Sequence, residues 1–206
     1  MPGKTDHPLE RLVFFSDAVF AIAITLLVIE IHPPHLDADG MQPTLEALAR
    51  LIPNFIGFLV SFAVIGAFWA GHHRAFSLAG RIGPGILVWN LLLLGAIAFM
   101  PFVTGFMSSN YGKVGPAACY WSWLLLTALL NLKVNRMATG PAMRAAGVTE
   151  AEAAAVPRRS VAVFLAAAAA LIISLFAPMF APFGMATIPL WMLLLKPRAG
   201  TPAPAA

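Results

Sequence analysis

Apolar stretches of membrane-spanning length recur along the chain, and they restrict its fold more than any other feature. A run of about 20 apolar residues crosses the hydrocarbon layer of a bilayer as a helix. Lipid offers the backbone no hydrogen-bond partners, so each crossing segment has to be helical. We therefore predict six transmembrane helices, with approximate bounds 14–31, 51–70, 85–107, 116–134, 157–177 and 182–195. We predict a kink at Pro101 in the third helix, Pro157 as the first helical residue of the fifth, and close helix packing at the alanine-rich run 166–170. The sixth helix is the shortest and contains Pro189.

The composition supports an all-α integral membrane protein and argues against other classes. Hydrophobic residues make up 60% of the chain and charged residues only 11%, too little charge to cover the surface of a soluble domain. The single cysteine, Cys119, excludes a disulfide framework and a cysteine-rich metal site. The basic residues lie in short gaps between apolar runs, so they favour membrane orientation over nucleic-acid binding.

The distribution of lysine and arginine predicts the orientation. Cytosolic segments of membrane proteins carry an excess of these residues. With the amino terminus in the cytosol, only Arg50 and Lys113 fall outside, and eleven of the 13 basic residues fall inside: Lys4, Arg11, Arg74, Arg81, Lys133, Arg136, Arg144, Arg158, Arg159, Lys196 and Arg198. We expect a multi-pass protein of the plasma membrane with both termini cytosolic. One six-helix domain over residues 1–198 would precede a disordered Pro/Ala-rich tail, 199–206.

The first apolar helix carries the most specific chemistry, because a carboxylate stands inside it. Asp17 lies within the first turns of this helix, and an acid at the bilayer centre costs about 2.5–3.5 kcal/mol, less near the interface. One interpretation is that Asp17 is an anion at the positive end of the helix dipole. The other is that it joins Ser16 and Arg11 in a buried polar network. The two roles are compatible.

Helical geometry separates this acid from an apolar stripe. At about 100° per residue, Ile22, Thr25, Leu26 and Ile29 share one face of the helix, and Asp17 points about 140° away from Ile22. Such a stripe is typical of core or lipid contact. If it lines a pathway instead, Asp17 has to face neighbouring helices.

The same helix resembles a known channel family. Arg11, Phe15, Ser16 and Asp17 form the pattern Arg-x-x-x-Phe-Ser-Asp, which is similar to the motif of the transmembrane-protein-175 family of potassium channels. The animal members have two six-helix repeats, and the shorter bacterial and archaeal members have one, like this chain. The resemblance extends over about 11–104 and includes Phe68-Trp69, His72-His73-Arg74, Asn90-Leu91-Leu92, Pro101-Phe102 and Thr104.

The resemblance implies a homotetramer in a lipid membrane, with the first helix of each subunit lining a central potassium pathway. The pore constriction and ion selectivity would then fall to Ile22, Thr25, Leu26 and Ile29. The gating or structural motif would be Arg11, Phe15, Ser16 and Asp17, supported by a polar network of His72, His73 and Asn90.

The chain has no Thr-Val-Gly-Tyr-Gly filter sequence, so selectivity would come from a hydrophobic side-chain constriction at Ile22 and would be modest for potassium over sodium. We expect no catalytic residue, no cofactor and no metal site; adjacent helical residues such as His72 and His73 diverge by about 100°. Three alternatives stay open: a proton- or cation-coupled secondary transporter using Asp17, a membrane enzyme, and a non-conducting accessory protein.

Overall fold

The structure, a computed structural model, describes residues 7–36 and 38–196. Within these residues the regular secondary structure is helical, apart from one isolated bridge between Ala79 and Arg144. The α-helices of the described chain are α1 (His7–Leu26), α2 (Met41–Arg50), α3 (Ile52–Ser77), α4 (Ile86–Ala98), α5 (Met100–Ser108), α6 (Val114–Ala138), α7 (Glu150–Phe176) and α8 (Ile188–Leu194). The described chain also has two 3₁₀ segments: Leu27–Glu30 follows α1, and Pro178–Thr187 precedes α8.

Five helical segments in the described chain are long and apolar enough to cross a membrane: Pro8–Glu30, Ile52–Ser77, Ile86–Ser108, Val114–Ala138 and Glu150–Phe176. They coincide with the first five predicted spans, so the predicted all-α, multi-pass class is confirmed. The predicted tail at 199–206, and Lys4 and Arg198 of the charge count, lie outside the described residues.

The sixth predicted span has a different form from the one expected. The apolar stretch Pro178–Leu194 is shorter than the other five. Its first ten residues are 3₁₀-helical, and only Ile188–Leu194 is an α-helix, so the prediction of one α-helix over 182–195 is wrong. Pro178 and Pro182 lack the N–H group that an α-helix uses in its interior, which favours short irregular turns here.

The helix of the third span is interrupted next to Pro101, where a kink was predicted. The helix is interrupted at Phe99 and restarts as α5, with Pro101 in its first turn. Proline cannot donate a hydrogen bond to the carbonyl four residues earlier, and its ring clashes with that carbonyl. The predicted kink at Pro101 is therefore confirmed.

The fifth span begins earlier than predicted. Pro157 was expected as its first helical residue, but α7 starts at Glu150 and contains Pro157 in its interior. Thr149 and Glu152 form a capping box: Thr149 Oγ1 accepts from the Glu152 N–H at 3.3 Å, and the Glu152 carboxylate accepts from the Thr149 N–H at 3.0 Å. Because this box satisfies two free N–H groups at once, it sets the helix start.

Two further differences concern the first outer loop and the second span. Residues 41–50, predicted as loop, form the short helix α2, none of whose residues is buried. The second span, predicted to end near Ala70, continues to Ser77. His72 and His73 therefore lie on α3 and not in the turn that follows it.

Small side chains hold the carboxyl-terminal helices close together. Ala166, Ala167 and Ala170 of α7 are fully buried, which confirms the close packing predicted for the alanine-rich run. A Cβ atom at Gly184, in the second 3₁₀ segment, would lie 2.5 Å from the backbone of Ala170. Only glycine allows this approach, and small residues are the usual means by which membrane helices come into contact.

One end of the bundle is rich in arginine, and we call it the basic end. Here α3 and α6 finish and α7 begins. The loops after α3 and α6 are tied together by hydrogen bonds: Gly80 N–H donates to Met143 O at 2.8 Å, and Arg81 Nε donates to Ala142 O at 2.7 Å. The arginines of the basic end are Arg74, Arg81, Arg136, Arg144, Arg158 and Arg159.

Candidate pore-lining helix

The predicted stripe of α1 is exposed in the single subunit. Ile22 is 58% exposed, Leu26 40% and Ile29 64%, and Thr25 is exposed beside them. Ile29 lies in the 3₁₀ segment, where about three residues make a turn, so it stands directly above Leu26. No other part of the described chain covers this face.

The exposed face continues to the start of the helix. Arg11 and Phe15 lie within about 20° of Ile22 around the helix axis, and both are exposed. Ala18, between Phe15 and Ile22, is exposed as well. Sequence analysis placed Arg11 and Phe15 with the structural motif; the structure places them in line with the stripe. The rotation of about 100° per residue, applied also to the residues before Ile22, would have predicted that Arg11 and Phe15 continue the stripe.

Thr25 makes a local hydrogen bond. Its Oγ1 donates to the carbonyl oxygen of Ile22 at 2.9 Å. The hydroxyl hydrogen is thus used within the helix, as is common for threonine. The oxygen keeps free lone pairs on the exposed face, where it can accept from water or face a cation.

The opposite face of α1 is anchored by a buried chain of polar side chains. His72 Nε2 and Asn90 Oδ1 are 2.9 Å apart, Asn90 Nδ2 donates to Ser16 Oγ at 2.9 Å, and Ser16 Oγ donates to Leu12 O at 2.8 Å. The three polar residues are fully buried. This chain joins α1, α3 and α4, so three of the predicted network residues do lie together.

Each link in the chain has one consistent donor. Since an amide oxygen only accepts, His72 donates from Nε2, and its neutral ring then carries no hydrogen on Nδ1. Nδ1 has no partner among the described residues. The ring lies between Phe20 and Phe76, at centroid distances of 5.5 and 4.4 Å. The aromatic contacts and the Nε2 bond together fix its orientation.

Asp17 faces α3, away from the stripe, as its angle predicted. Trp69 Nε1 donates to Asp17 Oδ1 at 2.8 Å, and the Trp69 ring lies over His73 at 5.6 Å. Sequence analysis did not assign Trp69 as this partner. Within residues 7–36 and 38–196 of the single subunit, no hydrogen bond or ion pair joins Arg11 to Asp17 or Ser16. The expected association of Asp17 with Arg11 stays a prediction.

A second buried polar cluster lies deeper in the bundle and was not predicted. Ser61 Oγ is 2.8 Å from Thr104 Oγ1 and 2.9 Å from Tyr120 Oη. It connects α3, α5 and α6. In the described chain, no three His, Cys, Asp or Glu side chains are grouped closely enough to hold a metal ion.

Both the sequence and the fold of this chain are similar to those of known channel proteins. Residues 11–101, from the start of the motif on α1 to the kink between α4 and α5, match the family model described as endosomal/lysosomal potassium channel TMEM175. The chain superimposes with a TM-score of 0.77 on the crystal structure of a lysosomal potassium-selective channel TMEM175 homolog from Chamaesiphon minutus. That match covers 93% of this chain and 100% of the other at 27% identity.

The chain is therefore similar to TMEM175 channels in the sequence of residues 11–101 and in its fold. Among curated proteins, it is 44% identical over 98 residues to a potassium channel of Chamaesiphon minutus and 41% identical over 98 residues to one of Streptomyces collinus. These matches cover 48% of this chain and 48% and 47% of the two relatives, so the matched part spans about half the length of each. The TMEM175 resemblance seen in the motif of α1 is confirmed.

Proposed function

We propose that this chain forms a potassium-permeable channel in which the first helices of four identical subunits surround a central pathway. The observation that carries the proposal is the uncovered stripe of α1, with Ile22 and Ile29 more than half exposed while Ser16 and Phe20 on the other face are buried. The match of residues 11–101 to a potassium channel family model supports it, as do the names of the curated relatives.

In this proposal, Ile22 forms the narrow point. A ring of four isoleucines excludes water when it is tight, and when it is slightly wider it forces an ion to shed part of its hydration shell. Potassium loses water at a lower cost than sodium, so the ring favours potassium to a modest degree. The free lone pairs of Thr25 offer polar contact next to the constriction, and Leu26 and Ile29 extend the apolar lining outwards.

The buried face of α1 has a separate task in this mechanism. A pore-lining helix has to keep one rotation about its axis, because a turn of about 100° would replace each isoleucine with its neighbour. The bond from Asn90 to Ser16 and the bond from Trp69 to Asp17 hold α1 against α3 and α4. They support a fixed inward orientation of the stripe.

We also propose a sixth crossing, both termini in the cytosol and a place in the plasma membrane. Ten 3₁₀ residues at about 2.0 Å each and seven α-helical residues at about 1.5 Å give Pro178–Leu194 a length of about 30 Å, which equals the thickness of the hydrocarbon layer. The arginines of the basic end favour the cytosolic side.

Ion flux through the purified chain in liposomes tests the proposal. We expect the wild type to carry potassium with a reversal potential closer to that of potassium than of sodium, and Ile22→Asn to shift it towards sodium. Val28→Asn is the matched control, because Val28 is also exposed on the first span but, within the 3₁₀ segment, points about 120° away from Leu26 and Ile29 of the stripe. Absence of potassium flux in the wild type, or equal reversal potentials in Ile22→Asn and wild type, would contradict it.

A further inference from the structure

A cavity of about 470 Å³ opens between α3 and α7 near the basic end, away from the stripe of α1. We call it the α3–α7 cavity. Its walls are mainly apolar, and its apolar lining includes Ala67, Phe68, Ala155, Val156, Val163 and Ile188. The first two belong to α3, the next three to α7 and the last to α8. It therefore lies between two helices that are long and apolar enough to cross a membrane.

Two arginines line this otherwise apolar space. Arg74 comes from the last turn of α3 and Arg159 from the amino-terminal part of α7, and both are exposed. The one carboxylate in the lining is Glu152, and it is already bound: it accepts from the Thr149 N–H at 3.0 Å and from Thr149 Oγ1 at 2.8 Å. The capping box orients Glu152, which stays charged and interacts electrostatically with Arg74. Two arginines against one carboxylate still leave the lining with an excess of positive charge.

A buried amide provides the second feature that points to a ligand. Asn131 of α6 lines the cavity, is only 4% exposed, and has no hydrogen-bond partner for Oδ1 among the described residues. A buried acceptor without a partner destabilises the protein, because it has lost its hydrogen bonds to water. A hydroxyl group entering the cavity would supply the missing donor.

We propose that the α3–α7 cavity binds an anionic phospholipid whose headgroup carries a hydroxyl, of the phosphatidylglycerol type. The phosphate lies with Arg74 and Arg159, the headgroup hydroxyl donates to Asn131 Oδ1, and an acyl chain follows the apolar wall towards Val163 and Ile188. Basic pockets between membrane helices on the cytosolic side are suited to such headgroups. The apolar wall and the position of the cavity between two apolar helices of membrane-spanning length favour a lipid over a soluble anion. This binding is independent of ion conduction.

Lipid retention by the full-length chain tests the proposal directly. The chain is delipidated in detergent, given phosphatidylglycerol or phosphatidylcholine, and examined by native mass spectrometry. We expect phosphatidylglycerol to be retained in preference. The double variant Arg74→Gln/Arg159→Gln should lower that preference about 30-fold, equivalent to about 2 kcal/mol, because two arginine–phosphate attractions are lost. The matched control is Arg136→Gln, an exposed arginine of the basic end outside the cavity, and it should retain the wild-type preference.

A second variant separates the cavity from general surface charge. Ala155→Phe fills the cavity and leaves both arginines, so it should abolish retention of phosphatidylglycerol while circular dichroism reports an unchanged helical content. Equal retention of the two lipids by the wild type would overturn the proposal, as would an equal loss in Arg136→Gln or undiminished retention in Ala155→Phe. Displacement of the lipid by an equal concentration of soluble glycerophosphate would assign the site to a soluble anion instead.

Discussion

The amino-terminal and carboxyl-terminal helices of this protein are held together by different means. In the first group, α1, α3 and α4 meet through the buried hydrogen bonds of Ser16, His72 and Asn90. In the second, α7 meets the 3₁₀ segment through alanines and Gly184, with the Asn135–Ser160 hydrogen bond as a polar link to α6. Hydrogen bonds require particular side chains, whereas close packing requires only small ones.

This difference between the two groups agrees with how much of the chain resembles its relatives in sequence and how much in structure. Sequence similarity to the curated potassium channels covers 98 residues, about half of the chain, and the family model ends at residue 101. The structural match covers 93% of the chain with a TM-score of 0.77. The polar contacts limit which residues can stand in the first group. In the second, many combinations of small and apolar residues keep the same helix arrangement.

The largest effect expected from this comparison follows removal of Asn90. Asn90→Leu leaves the His72 Nε2–H buried without an acceptor and removes the N–H donor to Ser16 Oγ, which keeps its bond to Leu12 O. The change should destabilise the protein by about 3 kcal/mol. Asn131→Leu makes the same change in the second group, where Oδ1 has no partner to lose, and should cost less than about 1 kcal/mol. Unfolding by denaturant in detergent micelles measures both. Equal losses would remove the distinction between the two groups.

A smaller effect is expected at the glycines. Gly184→Ala places a methyl group against the Ala170 backbone, and we expect a loss of about 2 kcal/mol from overpacking. At Gly95 of α4 nothing lies within 4 Å of the added methyl group. Gly95→Ala should therefore be neutral or stabilising by up to about 1 kcal/mol, because alanine favours helix. Thermal melting in micelles compares them; a stabilising Gly184→Ala would contradict tight packing of the 3₁₀ segment.

Much of the fold could be predicted from patterns that act locally. Apolar length gives the first five spans, and Pro101 gives the kink. The start of α7 was misjudged because two local signals compete there: Pro157 suits a first turn, but the capping box at Thr149 and Glu152 satisfies more backbone groups. Pro178 and Pro182 oppose an α-helix over 178–187, but the close approach of Gly184 to Ala170 depends on packing against α7, which no local pattern reveals.

Less of the candidate site could be predicted, because its contacts join distant helices. The angle between Asp17 and Ile22 follows from one helix alone, and it was predicted correctly. The identity of the residue that meets Asp17 depends on how α3 is rotated, and so Trp69 was not found. The same holds for Ser61, Thr104 and Tyr120, which lie on three different helices and carry no mutual spacing in the sequence.

The central claim is that copies of α1 surround a common axis and turn their Ile22 side chains towards it. Oxidative cross-linking in membranes tests it most directly, in a Cys119→Ser background because Cys119 is an exposed free thiol. Ile22→Cys should form disulfide-linked dimers, since neighbouring Cβ atoms in a narrow ring approach the about 4 Å that a disulfide requires. Leu129→Cys, exposed on α6, should remain monomeric under the same conditions. Dimers at Leu129→Cys with none at Ile22→Cys would contradict the claim.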